Sequence, residues 1–173
     1  HAEALGEGVH LDRDLVRERV ATPLGLDVFY LPTAPFELRP EALTGKNRFG
    51  AARQPWTGEA LGPAGGIRAT IDAMATLVEA LLNGSAPGTG ALDPVTNFAG
   101  PAVRIGAAWI TLEHQGRDIV WHNGGTGGFR SWLGLDRAAA TGAVILSARS
   151  TSADRHGFTL LAETTKRLKR DST

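Results

Sequence analysis

The side chains best suited to chemistry in this 173-residue chain concentrate in nine residues, "WHNGGTGGF", from Trp121 to Phe129. His122 carries an imidazole, the side chain that exchanges a proton near neutral pH. Thr126 offers a hydroxyl, and the four glycines Gly124, Gly125, Gly127 and Gly128 expose backbone N–H groups that no side chain shields. Arg130 follows, a planar fork that suits a carboxylate and is equally at home solvated on a surface. Glycine N–H groups can cradle a phosphate, but that arrangement runs from a strand into a helix and ends in Lys-Ser/Thr. Here Gly128 leads into a further strand-like run and no such pair follows, so nucleotide binding is the weakest reading. The plain alternative is a glycine-rich turn beside a packed histidine. The remaining histidines suggest no metal: His114 lies in a polar turn, and His10 and His156 share no ligand spacing. The chain has no cysteine, and no cofactor is expected.

The elements that must position these residues follow from periodicity. Leu11, Leu15, Val16, Arg19 and Val20 recur at helical spacing, with Asp12 and Asp14 early as the helix dipole favours, until Pro23 and Gly25 stop the pattern. Residues 31–63 hold five prolines and little periodicity, which predicts a long irregular segment. Ile71, Met74, Ala75, Leu77, Val78, Leu81 and Leu82 form the stripe of a second helix, with Asp72 in its first turn and Asn83-Gly84 at its end. After residue 100 the period becomes extended. The run 102–112 is apolar on both faces, as in a strand covered on both sides. A turn around Gly116 leads to 117–122, and two further extended runs cover 129–135 and 143–149. An amphipathic, basic-ended helix closes the chain. The expected architecture is α+β: a helical, loop-rich part over 1–100, then three antiparallel strands and a packing helix over 101–173. Trp56, Trp109, Trp121 and Trp132 are expected mostly in aromatic core packing.

Composition narrows the partners. Lys plus Arg equals Asp plus Glu at 18 each, so no global field draws nucleic acid or an acidic membrane surface. The longest apolar runs are strand-sized, short of the ~20 residues of a membrane span. The chain begins with His1, without a cationic apolar leader, which suggests a processed or truncated product. The compartment stays undetermined.

His122-Asn123-Gly124, continued by Gly125-Thr126-Gly127-Gly128-Phe129, resembles the third motif of the serine β-lactamase and penicillin-binding-protein superfamily. The similarity is closest to the group of class C β-lactamases, D-alanyl-D-alanine carboxypeptidases and family VIII esterases. Three other stretches agree in order: "LVRERVATPLGL", "LGPAGGIRATIDAMATLVEALLNG" and "GFRSWLGLDRAAATGAVILSA". The resemblance implies a β-lactamase-like (DD-peptidase-like) fold and hydrolysis of an amide or ester through an acyl-serine intermediate. It also implies residue roles. His122 takes the position where many members carry lysine, and the Gly125 N–H supplies half of an oxyanion hole. Asn123, Gly124, Thr126 and Arg130 bind a small-molecule or peptide substrate, whose backbone lies along the glycine edge as an added strand.

Two parts of that machinery are missing. Ser85, Ser131, Ser147, Ser150 and Ser152 all fail the Ser-x-x-Lys pattern, and Ser172 is too near the end. The only tyrosine, Tyr30, matches no Tyr-x-Asn. Within the superfamily both motifs precede the first helix found here, so the chain reads as the C-terminal part of a longer hydrolase. The alternative is a non-catalytic binding or interaction domain of the same fold. An incomplete sheet would leave the edge of 102–112 or of 143–149 to be covered by the N-terminal half of the same protein or by a second copy.

Overall fold

The computed structural model describes residues 13–58, 60–114 and 116–171. Leu11 and Asp12 of the expected first helix, His10 and Ser172 lie outside them. The chain divides into two compact units that do not follow chain order. One gathers the chain up to Thr76 with Gly124–Arg130 and Leu146–Thr151; the other gathers Leu77–Asn123, Ser131–Ile145 and the chain from Ser152. The composition change near residue 100 therefore falls inside one unit.

The second unit is built on a sheet. Strands β3 (Thr96–Asn97), β4 (Val103–Ile105), β5 (Ile110–His114), β6 (Arg117–Gly124), β7 (Arg130–Asp136) and β8 (Thr141–Ser147) follow one another in that spatial order. The α+β class holds, but the sheet has six strands where the sequence marked three. The run 102–112 is not one strand: it bends between β4 and β5, where Gly106 N–H bonds Trp109 O at 2.8 Å and Ala108 takes a left-handed φ of 64°. Its edge is not exposed either, because β3 pairs with β4 on its outer side. The outer edge of β8 carries no strand among the described residues.

Helices cover both sheet faces. α1 (Ile71–Asn83) places Val78 and Leu82 against Gly142 and Leu135, and Gly84 beyond its end is left-handed at φ 80°. Its buried face is centred on Ala73, Val78 and Ala80, while Ile71, expected in the stripe, is half exposed. On the other face α2 (Asp154–Asp171) buries Gly157, Leu161 and Thr165, which lie four residues apart along one face. Trp132 is fully buried there, with the Phe158 ring 5.1 Å away and the Trp121 ring at 6.5 Å. Gly134 on its own strand and Gly157 on the helix leave the space that the indole fills; a Cβ at either would strike the ring.

Asp136 closes β7 inside the protein. Its carboxylate, 0% exposed, accepts Arg117 Nη1 at 2.6 Å and the Ala139 N–H at 3.1 Å. Asp136→Ala strands a partly buried guanidinium and uncaps the turn, so urea denaturation is expected to show a loss of about 3 kcal/mol. A loss under about 0.5 kcal/mol, the range of a neutral surface change, would refute the assignment.

In the first unit, the described start is a helical segment over 13–21 whose last turn, Arg17–Ala21, widens to a π-turn. β1 (Phe29–Tyr30) then pairs antiparallel with β2 (Arg68–Ala69). The proline-rich stretch between them is irregular, as its composition dictates, yet held by local bonds. Glu37 accepts the Thr33 N–H at 2.7 Å and the Thr33 hydroxyl at 3.1 Å. The Thr33 N–H bond, partly opposed by burial, holds the Glu37 carboxyl below the usual glutamate range. A lowered carboxyl pKa stabilises the fold above the unfolded value, and that stability is lost as pH falls through the folded one. Thermal melts of Glu37→Gln should therefore fall less steeply than wild type below about pH 5. Parallel curves would show that the bond contributes nothing to acid stability.

Candidate active site

The ladder between β5 and β6 ends at Ile110↔Trp121. β6 runs on through His122, Asn123 and Gly124, so this stretch has no β5 partner on that side. The cause is the bend before β5: Gly106 sits so close to the Ala91 and Asp93 carbonyls that a Cβ would lie 2.7 and 2.5 Å from them. The preceding chain is thereby drawn away.

Strand alternation then sorts the side chains. Trp121 and Asn123 face α2: the Trp121 ring is 5.0 Å from Phe158, and Asn123 Nδ2 donates to both Asp154 carboxylate oxygens at 2.9 Å. His122 shares the opposite face with Val120 and is exposed. The two neighbours predicted to meet the same ligand thus point to opposite faces of the sheet, and the Asn123 carboxamide is engaged at the start of α2.

Gly124–Arg130 forms one loop with the first unit. Thr126 Oγ1 donates to Gly65 O at 3.0 Å, and the Phe129 N–H closes the turn on Thr126 O at 2.9 Å. Gly127 and Gly128 are left-handed, at φ 54° and 84°. They are also crowded: a Cβ on Gly127 would lie 3.0 Å from Trp56 N, and one on Gly128 would lie 2.6 Å from Lys46 N. Conformation and space both demand glycine there. At Gly125 the Arg130 guanidinium lies where a side chain would be, a flexible neighbour able to move aside, and Arg130 Nε donates to Ser150 O at 3.3 Å. Arg68 stacks on the Phe129 ring at 4.5 Å, and burial pushes its pKa below the ordinary guanidinium value. Among the described residues none of the N–H groups from Gly125 to Gly128 donates to a loop or turn carbonyl. A strand that outruns its β5 partner and leads into such N–H groups is an arrangement that can hold an extended ligand and a developing oxyanion.

Gly124, Gly125, Thr126 and Arg130 are brought together in this loop, while His114 is exposed at the far end of β5. Sequence reasoning missed the supports: Gly45, whose missing side chain makes room for Gly127 O and the Phe129 ring, Trp56 and Asp154. Gly65 was legible in part, since it belongs to the Ala64-Gly65-Gly66 turn of the resemblance. A cavity of about 650 Å³ in the first unit, lined by Val16, Leu26, Tyr30 and Glu37 among others, contains no residue of the loop. Among the described residues no three His, Cys, Asp or Glu side chains gather as a metal site, and no helix is long and apolar enough to cross a membrane.

The Asn123 tie is testable by charge. Asn123→Asp sets a second carboxylate against Asp154, so the melting temperature should drop at neutral pH and recover on acidification, when the pair shares a proton. A pH-independent melting temperature equal to wild type would show that the contact is not made in solution.

The sequence profile of the family described as Beta-lactamase matches residues 12–166. No curated protein matches by sequence. Among solved structures, a β-lactamase/D-alanine carboxypeptidase from Pseudomonas syringae superposes with a TM-score of 0.71 at 15% identity, over 90% of this chain and 52% of that one. A class C β-lactamase gives 0.70 at 16% identity, over 86% and 49%. A D-stereospecific amidohydrolase from Streptomyces sp. gives 0.63 at 18% identity, over 79% and 44%. The chain spans about half the length of these structures, and at such identities the likeness is one of fold. Matched over most of its length by the family profile and folded like these hydrolases, the chain belongs to the beta-lactamase family.

Proposed function

We propose that this chain is the part of a serine hydrolase that presents the third-motif strand to an amide or ester substrate, and that cleavage runs through an acyl-serine. The serine and its Ser-x-x-Lys partner would come from a segment outside the 173 residues. One observation carries the reading: β6 runs on past Trp121, where its pairing with β5 ends, and among the described residues the Gly125 N–H that follows donates to no loop or turn carbonyl. A substrate backbone can pair along that stretch while the Gly125 N–H helps stabilise the tetrahedral oxyanion. His122, exposed on the face opposite α2, would donate a hydrogen bond or charge to the substrate, with Thr126 and Arg130 at its carboxylate end and Asn123 and Gly124 shaping the strand. The structural relatives, a carboxypeptidase and an amidohydrolase among them, fit an amide or ester substrate. The outer edge of β8, which carries no strand among the described residues, fits coverage by an N-terminal half of the same protein or by a second copy.

The absence of any Ser-x-x-Lys in the 173 residues favours a second reading, a non-catalytic binding domain of the same fold. Sequencing upstream for Ser-x-x-Lys and Tyr-x-Asn separates the two. The isolated chain is expected to turn over neither nitrocefin nor p-nitrophenyl esters; turnover that follows the purified chain and resists serine-directed acylating inhibitors would sink the scheme. In a protein that supplies the nucleophile, His122→Ala should lower kcat/KM by roughly 10²–10⁴-fold and His114→Ala should leave it nearly unchanged. His122→Lys should retain activity, because an ammonium can donate the same hydrogen bond or charge to the substrate. Full activity per folded molecule in His122→Ala would remove His122 from the mechanism.

A further inference from the structure

The hairpin over 45–53 is a rigid, wholly basic element with an aromatic tip, and neither the fold nor the proposed chemistry uses that tip. Its stem is closed by the Lys46↔Ala52 bridge, by Asn47 N–H to Ala51 O at 2.8 Å and by Arg53 N–H to Gly45 O at 2.9 Å. The turn is closed twice more, since Asn47 Oδ1 accepts the N–H groups of Phe49 and Ala51, both at 2.9 Å. Gly50 supplies the left-handed residue at φ 92°. The base is clamped as well: Lys46 N–H donates to Ala148 O at 2.9 Å and Lys46 O accepts the Ser150 N–H at 3.0 Å.

This well-tied turn holds Phe49 out in solvent at 80% exposure, with the Arg48 guanidinium 4.5 Å from its ring. Leu43, at the entry to the hairpin, is 72% exposed. From Ala42 to Gly58 there is no Asp or Glu, only Lys46, Arg48 and Arg53, in a chain whose formal net charge is zero. Among the described residues none of the three forms an ion pair. Arg149 stands directly beside Lys46 in a parallel bridge, a like-charge pairing that is unfavourable until an anion sits against it.

We propose that this hairpin docks the protein on an anionic lipid surface, with Phe49 entering the headgroup region and Lys46, Arg48, Arg53 and Arg149 meeting lipid phosphates. An aromatic ring with a cation at its face suits that interface, where one end of the side chain is apolar and its surroundings are wet and charged. A soluble polyanion without rings of its own, such as a sulfated sugar, would engage the cations and leave the ring idle. The ring therefore favours lipid.

The test is co-sedimentation of the 173-residue chain with phosphatidylglycerol/phosphatidylcholine vesicles and with pure phosphatidylcholine vesicles. Binding is expected only to the anionic vesicles and should disappear at high salt. It should weaken roughly five-fold for Arg48→Ala, about the worth of one cation near such a surface. Phe49→Ser should weaken it about ten-fold, and Phe36→Ser, which alters an exposed aromatic outside the hairpin, should leave it unchanged. Equal binding to neutral vesicles, an equal loss with Phe36→Ser, or no binding at all would overturn the proposal. So would full binding by Phe49→Ser together with complete competition by heparin, which would identify a polyanion site instead.

Discussion

The close packing of the Trp132 indole between the sheet and α2 is the constraint on which the rest of the second unit depends. The ring is fully buried and fits only because Gly134 and Gly157 carry no side chain. Interiors packed at this density transmit displacement instead of absorbing it. The indole therefore sets how near α2 approaches β7, and with it where the first residue of α2, Asp154, comes to rest. Asp154 is in turn the anchor of Asn123. A tryptophan with no chemistry of its own thus determines how the end of β6 is held, and strand alternation sends the His122 imidazole to the other face.

The loop that follows β6 depends on a different device, the exclusion of side chains. Gly127 and Gly128 let the backbone around Trp56 and Lys46 press against the loop, and Gly125 makes room for Arg130. The hydroxyl of Thr126 ties the same loop to Gly65. Three supports far apart in sequence, Lys46, Trp56 and Gly65, converge on a few residues, whose N–H groups donate to no loop or turn carbonyl among the described residues. That is what preorganisation of an oxyanion donor requires, because a group that must first break an internal bond gives back much of what it contributes. Arg130 has a part in this, since its bond to Ser150 holds the guanidinium over Gly125. The same arginine can therefore steady the loop as well as meet an anion.

Charge is arranged locally in a molecule that is neutral as a whole. Asp136 and Arg117 pair where burial makes an unpaired charge costly, and Arg104 pairs with Asp118 and Arg137 with Asp93 at the surface. The hairpin over 45–53 departs from that pattern. Its cations stand together without acids, next to an exposed ring on a turn with little freedom to fold back.

Much of the fold was legible in the sequence, for reasons of local physics. The stripe from Met74 to Leu82 with Asn83-Gly84 at its end specified α1, and the amphipathic end of the chain specified α2. The motif from His122 to Phe129, together with its ordered companions, pointed to the family. What local pattern leaves open is pairing. The run 102–112 looks like one strand because its residues, Arg104 excepted, are apolar enough to be buried, but the carbonyls of Ala91 and Asp93 press on Gly106 and break it. The two-residue strand β3 has too few residues to show a period at all. The candidate site divides in the same way. The presence of glycines was plain, while the cause of two of them, Trp56 over Gly127 and Lys46 over Gly128, is a contact between residues distant in the chain. Sequence determined which elements form, because turns, caps and periodicity act over a few residues. Tertiary structure alone decided where the pairing of β6 with β5 ends and which groups Asn123 and Thr126 meet, because those depend on backbones brought together across tens of residues.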